Sequence, residues 1–412
     1  MTPLSVYVHI PFCTVKCGYC DFNAYAGMDG LKTSYEQALA AEIGAWCHAF
    51  EGREVITIGF GGGTPGEMQP SAIGTVIESI RRRSFFAGDA EISLEANPGT
   101  TSLEYLQALR AAGVNRISFG AQSFDAAELV FLDRIHSSQA IGAAVQLARR
   151  AGIESVGLDL IYGLPGQQMA SWLRSLEAAI DVAPDHLSCY ALTVEDGTPL
   201  AKRVARGEVV PLDSDEVADM YEMAGDRLCA GGFRQYEISN WAQTGHESRH
   251  NQVYWTDGDY LGVGAGAHGF VGGERYENMA HPRAYIDAAL LLRASGERPN
   301  TVIRAYRPNQ STAIFDWVTL ALRRIEGFEP AQFEQRFGRT VTDVLGDPLG
   351  QCTAAGILQC GDRVQLTSRG RLMHGEVAVR ILAHLERKGS RLGRVGGDEL
   401  RLADQDEEGS RR

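Results

Sequence analysis

Short apolar, β-branched runs alternate with amphipathic stretches along the first half of this 412-residue chain. Most of the amphipathic stretches open at Ser or Pro, residues that favour the first turn of a helix. The pattern predicts six strand and helix units with parallel strands. The predicted strands are Ser5–Ile10, Val55–Phe60, Ala90–Glu95, Arg116–Phe119, Ser155–Leu160 and His186–Leu192, and the helices between them are 34–50, 70–83, 102–112, 137–151 and 171–182.

Six units are too few for a closed eight-stranded barrel, so the expected fold class is α/β with an incomplete, open parallel (βα)6 barrel. We expect this core to occupy residues 1–240 and a connecting segment with a histidine motif to occupy 241–300. A small, mostly helical C-terminal domain is predicted for 301–385. Residues 386–412 are charged and rich in glycine, and we expect a disordered tail there.

Composition narrows the class of protein. Asp and Glu exceed Lys and Arg by 52 to 39, giving a net charge of −13, and such a field repels nucleic acid. Eight scattered cysteines do not resemble a secreted disulfide scaffold. With neither a signal sequence nor an apolar run of roughly 20 residues, we expect a cytoplasmic protein without an integral membrane segment.

Each predicted strand ends in a polar or glycine-rich cluster. Since the carboxyl ends of parallel strands meet at one edge, these clusters predict one pocket. Any one of the polar residues could instead be a helix cap or a loop residue, and the glycine run could be only a tight turn. A second glycine segment, Gly264–Gly269, matches the dinucleotide fingerprint but opens no helix, so we reject a nicotinamide site there. The clusters are Gly61–Pro65, Glu95–Pro98, Gly120–Ser123 and Asp159–Gly166.

Three cysteines, Cys13, Cys17 and Cys20, lie within one eight-residue loop after the first strand. This spacing favours a single metal centre, and thiolates suit an iron–sulfur cluster. The alternative, structural zinc, normally needs four protein ligands. Three ligands leave one iron open to chelate a small molecule. The glycine run and the polar strand ends could hold an amino-acid group and a ribose, which points to S-adenosylmethionine.

The Cys-x-x-x-Cys-x-x-Cys loop, Tyr19 within it and Gly61–Pro65 after the second strand resemble the radical S-adenosylmethionine (SAM) proteins. That resemblance implies a [4Fe-4S] cluster on the three cysteines, which reduces bound SAM to yield a 5′-deoxyadenosyl radical. The likeness extends over nearly the whole chain to the branch that contains oxygen-independent coproporphyrinogen III oxidase and its heme-chaperone relative. It implies SAM contacts from Tyr7, Tyr19, Gly62, Gly63, Thr64, Glu95, Gln122, Arg134 and Asp159, with Tyr19 against the adenine.

Two further segments resemble the chaperone more than the oxidase. Phe22 stands where the oxidase has a further cysteine, and the oxidase's long N-terminal extension is missing. The run His250–Trp255 is similar to the His-Asn-x-x-Tyr-Trp motif of the heme chaperones, which implies heme binding through His250, Asn251, Tyr254 and Trp255. From the residues alone, His250 could ligate heme iron or belong to a buried aromatic turn, and the rival ligands are His9, His136 and His268.

These patterns predict a chaperone that binds heme and passes it to an acceptor apo-hemoprotein, with the cluster and SAM supporting the transfer. The main alternative is a radical SAM enzyme acting on a porphyrin, as coproporphyrinogen oxidase does, or a related methyltransferase. A third possibility is a structural metalloprotein.

Overall fold

The computed structural model describes residues 1–292 and 298–392, with side chains up to Arg387. The described chain forms two units. The first contains Met1–Pro308 and Leu320–Gly327, and the second contains Asn309–Thr319 and the described residues from Phe328 onward. The predicted tail partly overlaps the last helix, which continues to Leu392, and its remainder, 393–412, lies outside the described residues. The predicted domain boundaries stay predictions.

The first unit is built on one twelve-stranded sheet. Its strand order is β14-β13-β12-β11-β1-β4-β5-β6-β7-β8-β10-β9, and a separate two-stranded ladder joins β2 to β3. The strands are β1 (Thr2–Ile10), β2 (Phe12–Cys13), β3 (Tyr25–Ala26), β4 (Arg53–Gly62), β5 (Phe85–Ala96), β6 (Arg116–Gln122), β7 (Ser155–Tyr162), β8 (His186–Ala191), β9 (Arg234–Glu237), β10 (Asn240–Ala242), β11 (Tyr260–Val263), β12 (His268–Val271), β13 (Glu274–Asn278) and β14 (Val302–Tyr306).

Helices follow the parallel strands in the predicted order. Their ends carry ordinary capping residues: the Ser102 side chain accepts from the Tyr105 amide, and Gly113 ends the same helix at φ +111°. The helices of this unit are α1 (Lys32–Ala45), α2 (Pro70–Arg81), α3 (Leu103–Ala112), α4 (Ala126–Phe131), α5 (Ser138–Arg150), α6 (Met169–Asp181), α7 (Pro199–Ala205), α8 (Ser214–Ala230), α9 (Arg249–Trp255) and α10 (Pro282–Ala289), with 3₁₀ turns at Asp29–Leu31, Cys47–Phe50 and Pro65–Glu67.

Strands β1, β4, β5, β6, β7 and β8 are parallel neighbours, which confirms the six predicted strands. Because side chains alternate between the faces of a strand, the apolar positions of β1, such as Val6 and Val8, are fully buried on one face. The other face lines a cavity to which both Tyr7 of β1 and Tyr190 of β8 contribute. The sheet therefore curls around that cavity as the predicted incomplete barrel.

The sheet also extends beyond the six predicted strands. A seventh parallel strand, β11, pairs with β1, and β12, β13 and β14 continue antiparallel from it. At the other edge β9 and β10 form an antiparallel hairpin, since the chain turns back at Ile238 and Ser239.

The second unit is mostly helical, as predicted, and it also contains a small hairpin of two strands. Trp317 packs its ring against Phe328, Phe333 and Phe337 in its core. Its elements are most of α11 (Gln310–Ala321), α12 (Pro330–Phe337), α13 (Val341–Ala354), β15 (Leu358–Cys360), β16 (Val364–Leu366), α14 (Ser368–Leu372) and α15 (His374–Leu392). Among the described residues, no helix is long and apolar enough to cross a membrane.

Candidate cofactor site

A cavity of about 560 Å³ lies inside the curled sheet. Many inward positions of its strands are hydroxyl, charged or glycine residues, where a closed (βα)8 barrel usually has branched apolar residues. All three cysteines of the N-terminal loop, all nine residues predicted to contact SAM, and three of the four residues of the histidine motif line it. The structure thus brings together every predicted site residue except Trp255.

The cysteine loop, Cys13 to Cys20, begins in β2 and is tied to the strand ends. Cys17 is buried, and Cys13 and Cys20 are partly exposed to the cavity. The Thr64 hydroxyl lies 3.5 Å from the Cys13 sulfur, and the Arg134 guanidinium lies 3.6 Å from the Cys17 sulfur. Donors that point at thiolates tune an iron–sulfur cluster.

The chemistry of the donor set, three thiolates on one loop, suits an iron–sulfur cluster. Among the described residues, no three His, Cys, Asp or Glu side chains converge closely enough to hold one metal ion. A four-iron cluster bonds each thiolate through a different iron, so its ligands surround a volume. Burial raises the pKa of the Cys13 and Cys20 thiols, and cluster assembly would therefore release protons from both.

The glycine turn after β4 packs directly against the start of the cysteine loop. A side chain at Gly62 would lie 2.5 Å from the His9 ring, and one at Gly63 would lie 2.7 Å from the Phe12 carbonyl. The amides of Gly63 and Thr64 donate to the carbonyls of Ile10 and Phe12, and the Gly62 amide donates to Glu95. Because Gly62 and Gly63 have no side chains, the turn can lie directly against His9 and Phe12. The amides of Gly62, Gly63 and Thr64 already donate hydrogen bonds within the protein.

Two carboxylates, Glu95 and Asp159, line the cavity close enough for their charges to interact. Glu95 is exposed to the cavity although protein encloses it, and burial together with the charge of Asp159 raises the pKa of Glu95 to about 7. Burial also raises the pKa of Asp159, although the hydroxyls of Ser118 and Ser188 donate to it. Such a pair favours a cationic ligand, which would stabilise both charged forms.

Arg134 connects the strand ends to the cysteine loop. Its guanidinium donates to the Gly120 carbonyl at 2.8 Å and to the Asn97 side chain, and its buried Nε has no hydrogen-bond partner among the described residues. Nearby, Gln122 takes a left-handed φ of 64° at the end of β6, a strained conformation that is common at functional sites. Tyr19 packs against Leu132, Ile161 and Leu164 at the cavity wall.

The histidine motif forms α9 and closes the opposite end of the cavity. His250 is only 5% exposed. Its Nδ1 is 2.8 Å from the Thr57 hydroxyl, and its Nε2 is 2.8 Å from the Tyr254 hydroxyl. Because Thr57 donates to Ser5, Nδ1 carries the proton and the Nε2 lone pair accepts from Tyr254. Burial lowers the pKa of His250 to about 4, so the ring is neutral at neutral pH.

One side of the His250 imidazole packs closely against β1 and β4. A Cβ at Gly59 would lie 2.5 Å from the imidazole, and the Tyr7 ring stacks on it at a centroid distance of 6.3 Å. Tyr254 and Asn251 also line the cavity, whereas Trp255 lies outside it, beneath the Arg323 guanidinium at 4.3 Å. Trp255 is therefore the one motif residue that the fold separates from the site.

The other three histidines considered as heme ligands differ from His250 in their contacts and exposure. His9 uses both ring nitrogens, one with Tyr7 and one with the Asn23 carbonyl. His136 contacts the Ala121 carbonyl, and His268 is exposed on β12.

Several polar residues of the site were not singled out from the sequence. Asn97, Ser118 and Ser188 bond to predicted site residues, and Asp133 accepts from the Gly18 amide within the cysteine loop at 2.9 Å. The signal available for Asn97 and Ser118 was their position on or just after a strand. Asp133 offered none, because its contact joins segments far apart in sequence.

Three comparisons with known proteins agree with this geometry. The family model of the radical SAM superfamily matches residues 7–179. A protein of Mycobacterium tuberculosis (strain ATCC 25618 / H37Rv) named heme chaperone HemW is 39% identical over 385 residues, covering 92% of this chain and 95% of that protein. The heme chaperone HemW of Escherichia coli (strain K12) is 37% identical, with 93% and 99% covered.

A solved structure shares the fold. The radical SAM enzyme coproporphyrinogen III oxidase (HemN) from Escherichia coli superimposes with a TM-score of 0.79 at 26% identity, covering 92% of this chain and 90% of that one. The likeness therefore includes both units of the present chain.

Proposed function

The chain belongs to the heme chaperone HemW family of the radical SAM superfamily, and from this premise we propose that it binds heme and transfers it to an acceptor apo-hemoprotein in the cytoplasm. The main support is that the cysteine loop and His250 line the same cavity, the loop at one end and His250 at the other. The family implies a [4Fe-4S] cluster and SAM, and the donor set at the cysteine loop suits both.

At the cluster end, Cys13, Cys17 and Cys20 would hold the cluster, with Thr64 and Arg134 donating to its thiolates. When bound, the cluster and SAM supply one-electron chemistry. Tyr19 would lie against the adenine, and the turn at Gly62 and Gly63 near the methionine portion. Glu95, Asp159 and Gln122 offer acceptors for the amino and hydroxyl groups, and Tyr7 bounds the site toward His250.

At the closed end, His250 would supply Nε2 to heme iron. Its neutral ring, with Nδ1–H held by Thr57, has the second-shell arrangement typical of metal-binding histidines. Iron binding requires the Tyr254 hydroxyl to leave Nε2. Asn251 and Tyr254 would then face the porphyrin, and Trp255 would act through its packing on Tyr254.

The alternative function is an enzyme that uses the radical on a porphyrin. The fold shared with coproporphyrinogen III oxidase over 92% of the chain favours it. Phe22 is 62% exposed beside the cluster loop, at the position where the resemblance drawn from the sequence implies a further cysteine in the oxidase, and it argues against decarboxylation.

One experiment separates the two. The anaerobically reconstituted protein is loaded with stoichiometric heme and mixed with apomyoglobin, and a parallel sample receives coproporphyrinogen III, SAM and a reductant. The chaperone predicts transfer of heme, seen as the Soret band of holomyoglobin, and no protoporphyrinogen. Multiple turnovers of coproporphyrinogen without heme transfer would establish the enzyme instead.

A further inference from the structure

The glycine segment that matches a dinucleotide fingerprint has a different use in this fold. Gly264–Gly269 spans the turn from β11 to β12 and passes beneath the end of the cysteine loop. Gly266 has φ +74°, and a Cβ there would lie 2.3 Å from the side chain of Asn23. Gly264, at φ +104°, would meet the His9 carbonyl at 2.5 Å. The glycines thus allow the turn to lie directly against Asn23 and His9.

Asn23 follows the last cysteine of the loop by three residues and is bonded from both its side chain and its backbone. Its Nδ2 donates to the carbonyls of Ala265 and Ala280, each at 2.9 Å. Its own carbonyl accepts from His9 Nε2 at 2.9 Å. The end of the cysteine loop is therefore attached to the β11–β12 turn and to β1.

The turn that receives Asn23 is itself held by buried groups. The fully buried Glu42 carboxylate accepts from the Gly264 amide at 2.8 Å and from the Tyr285 hydroxyl at 2.6 Å. The Tyr35 hydroxyl accepts from the Ala265 amide at 2.7 Å and donates to the His9 carbonyl at 2.8 Å. A satisfied buried network of this kind rigidifies its surroundings, so the turn is a firm support.

The cysteine loop thus has one fixed point near each cysteine. Cys13 lies in β2, which pairs with β3, and the Gly18 amide beside Cys17 donates to Asp133. Near Cys20 the fixed point is Asn23. Since a cluster needs its three thiolates at fixed separations, an anchor on each side of the loop keeps the ligands in place.

We propose that Asn23 is a positioning residue for the iron–sulfur cluster, fastening the Cys20 end of the loop to the Gly264–Gly266 turn. It binds no iron itself. The proposal rests on the cluster of the proposed function and adds a residue that the cysteine motif does not contain.

The test measures how fast a ferrous chelator removes iron from the anaerobically reconstituted protein. Asn23→Ala deletes both donated hydrogen bonds. The matched control is Asn115→Ala, since the Asn115 side chain also makes two bonds to backbone, with Ile92 and Ala90, at the other end of the strands. We expect iron loss about tenfold faster in Asn23→Ala and within about twofold of wild type in Asn115→Ala. Equal rates in the two variants would overturn the proposal.

Two more variants guard against a folding defect. Asn23→Asp keeps the size of the side chain but has no N–H to donate, so it should show the same acceleration with an unchanged circular dichroism spectrum. Gly266→Ala should also accelerate iron loss, and adding Asn23→Ala to it should change the rate little, because both act through one contact. Fully additive effects would contradict a shared contact.

The outcome is separable from that of the proposed function. If the wild-type protein takes up no iron, the cluster assignment fails and Asn23 has nothing to position. If it takes up iron and Asn23→Ala retains it as well as Asn115→Ala does, the cluster stands and the role of Asn23 fails.

Discussion

The two ends of the cavity are built differently, although the same strands form both. At the cluster end Cys13 and Cys20 are partly exposed, and Thr64 and Arg134 already point donors at the sulfurs of Cys13 and Cys17. At the His250 end the ring is buried, and both of its nitrogens have partners within the protein. One end is ready to accept its ligand, and the other is closed.

A site for a resident cofactor and a site for a released cargo are expected to differ in geometry. A resident cofactor is best served by a preformed site, which loses little free energy to reorganisation. A cargo that must be released is served by a site in which a protein group competes for the ligand, because the competitor weakens binding and assists departure. If His250 Nε2 binds heme iron as we propose, the Tyr254 hydroxyl on that nitrogen would be such a competitor.

Removing a cysteine should have the largest effect, and it should affect the cluster end of the cavity without affecting the His250 end. Cys17→Ala leaves the cluster two ligands, and the reconstituted variant should lose its brown absorbance and iron. Heme titration should be unchanged, because His250 lies across the cavity from the loop. A variant that retains a full cluster would refute the three-cysteine site.

The carboxylates between the two ends should give SAM binding a pH dependence. Glu95 has its pKa raised to about 7, so it is mostly protonated below that pH and ionised above it. The ionised form attracts cationic SAM, and affinity should therefore rise about tenfold from pH 6 to pH 8. Equilibrium dialysis of SAM measures this, with Glu95→Gln as the matched control. An equally steep profile in Glu95→Gln would remove Glu95 from the SAM site.

Removing the hydrogen bond between Tyr254 and His250 should have a smaller effect, and it should tighten heme binding. Tyr254→Phe removes the hydroxyl from Nε2 and keeps the ring, so heme affinity should increase about threefold to tenfold, the value of one hydrogen bond. A Soret titration measures it, and iron content should stay at the wild-type level. Weaker heme binding in this variant would show that Tyr254 contributes to the bound state and does not compete with it.

Much of the cluster end could be predicted from the sequence because its chemistry is local. The three cysteines are neighbours in the chain, and the parallel strands deliver Gly62, Glu95 and Asp159 to one edge by topology alone. The strand pattern therefore indicated both the fold and the pocket.

The closed end could not be predicted in this way. The contacts of His250 with Thr57 and Tyr7 join segments far apart in sequence, as does the pairing of β1 with β11. Period and spacing carry no information about such pairs. The position of Trp255 outside the cavity likewise depends on its packing beneath Arg323.

The role of His250 in holding heme is tested most directly by a heme titration of the anaerobically reconstituted protein. The titration compares wild type with His250→Ala and with the exposed control His268→Ala. We expect stoichiometric binding with an intact Soret band in wild type and in His268→Ala. In His250→Ala we expect heme binding to be weakened at least about tenfold, with the iron content of the cluster unchanged. Equal heme affinity in all three proteins would contradict this role, because the closed end of the cavity would then have no part in holding heme.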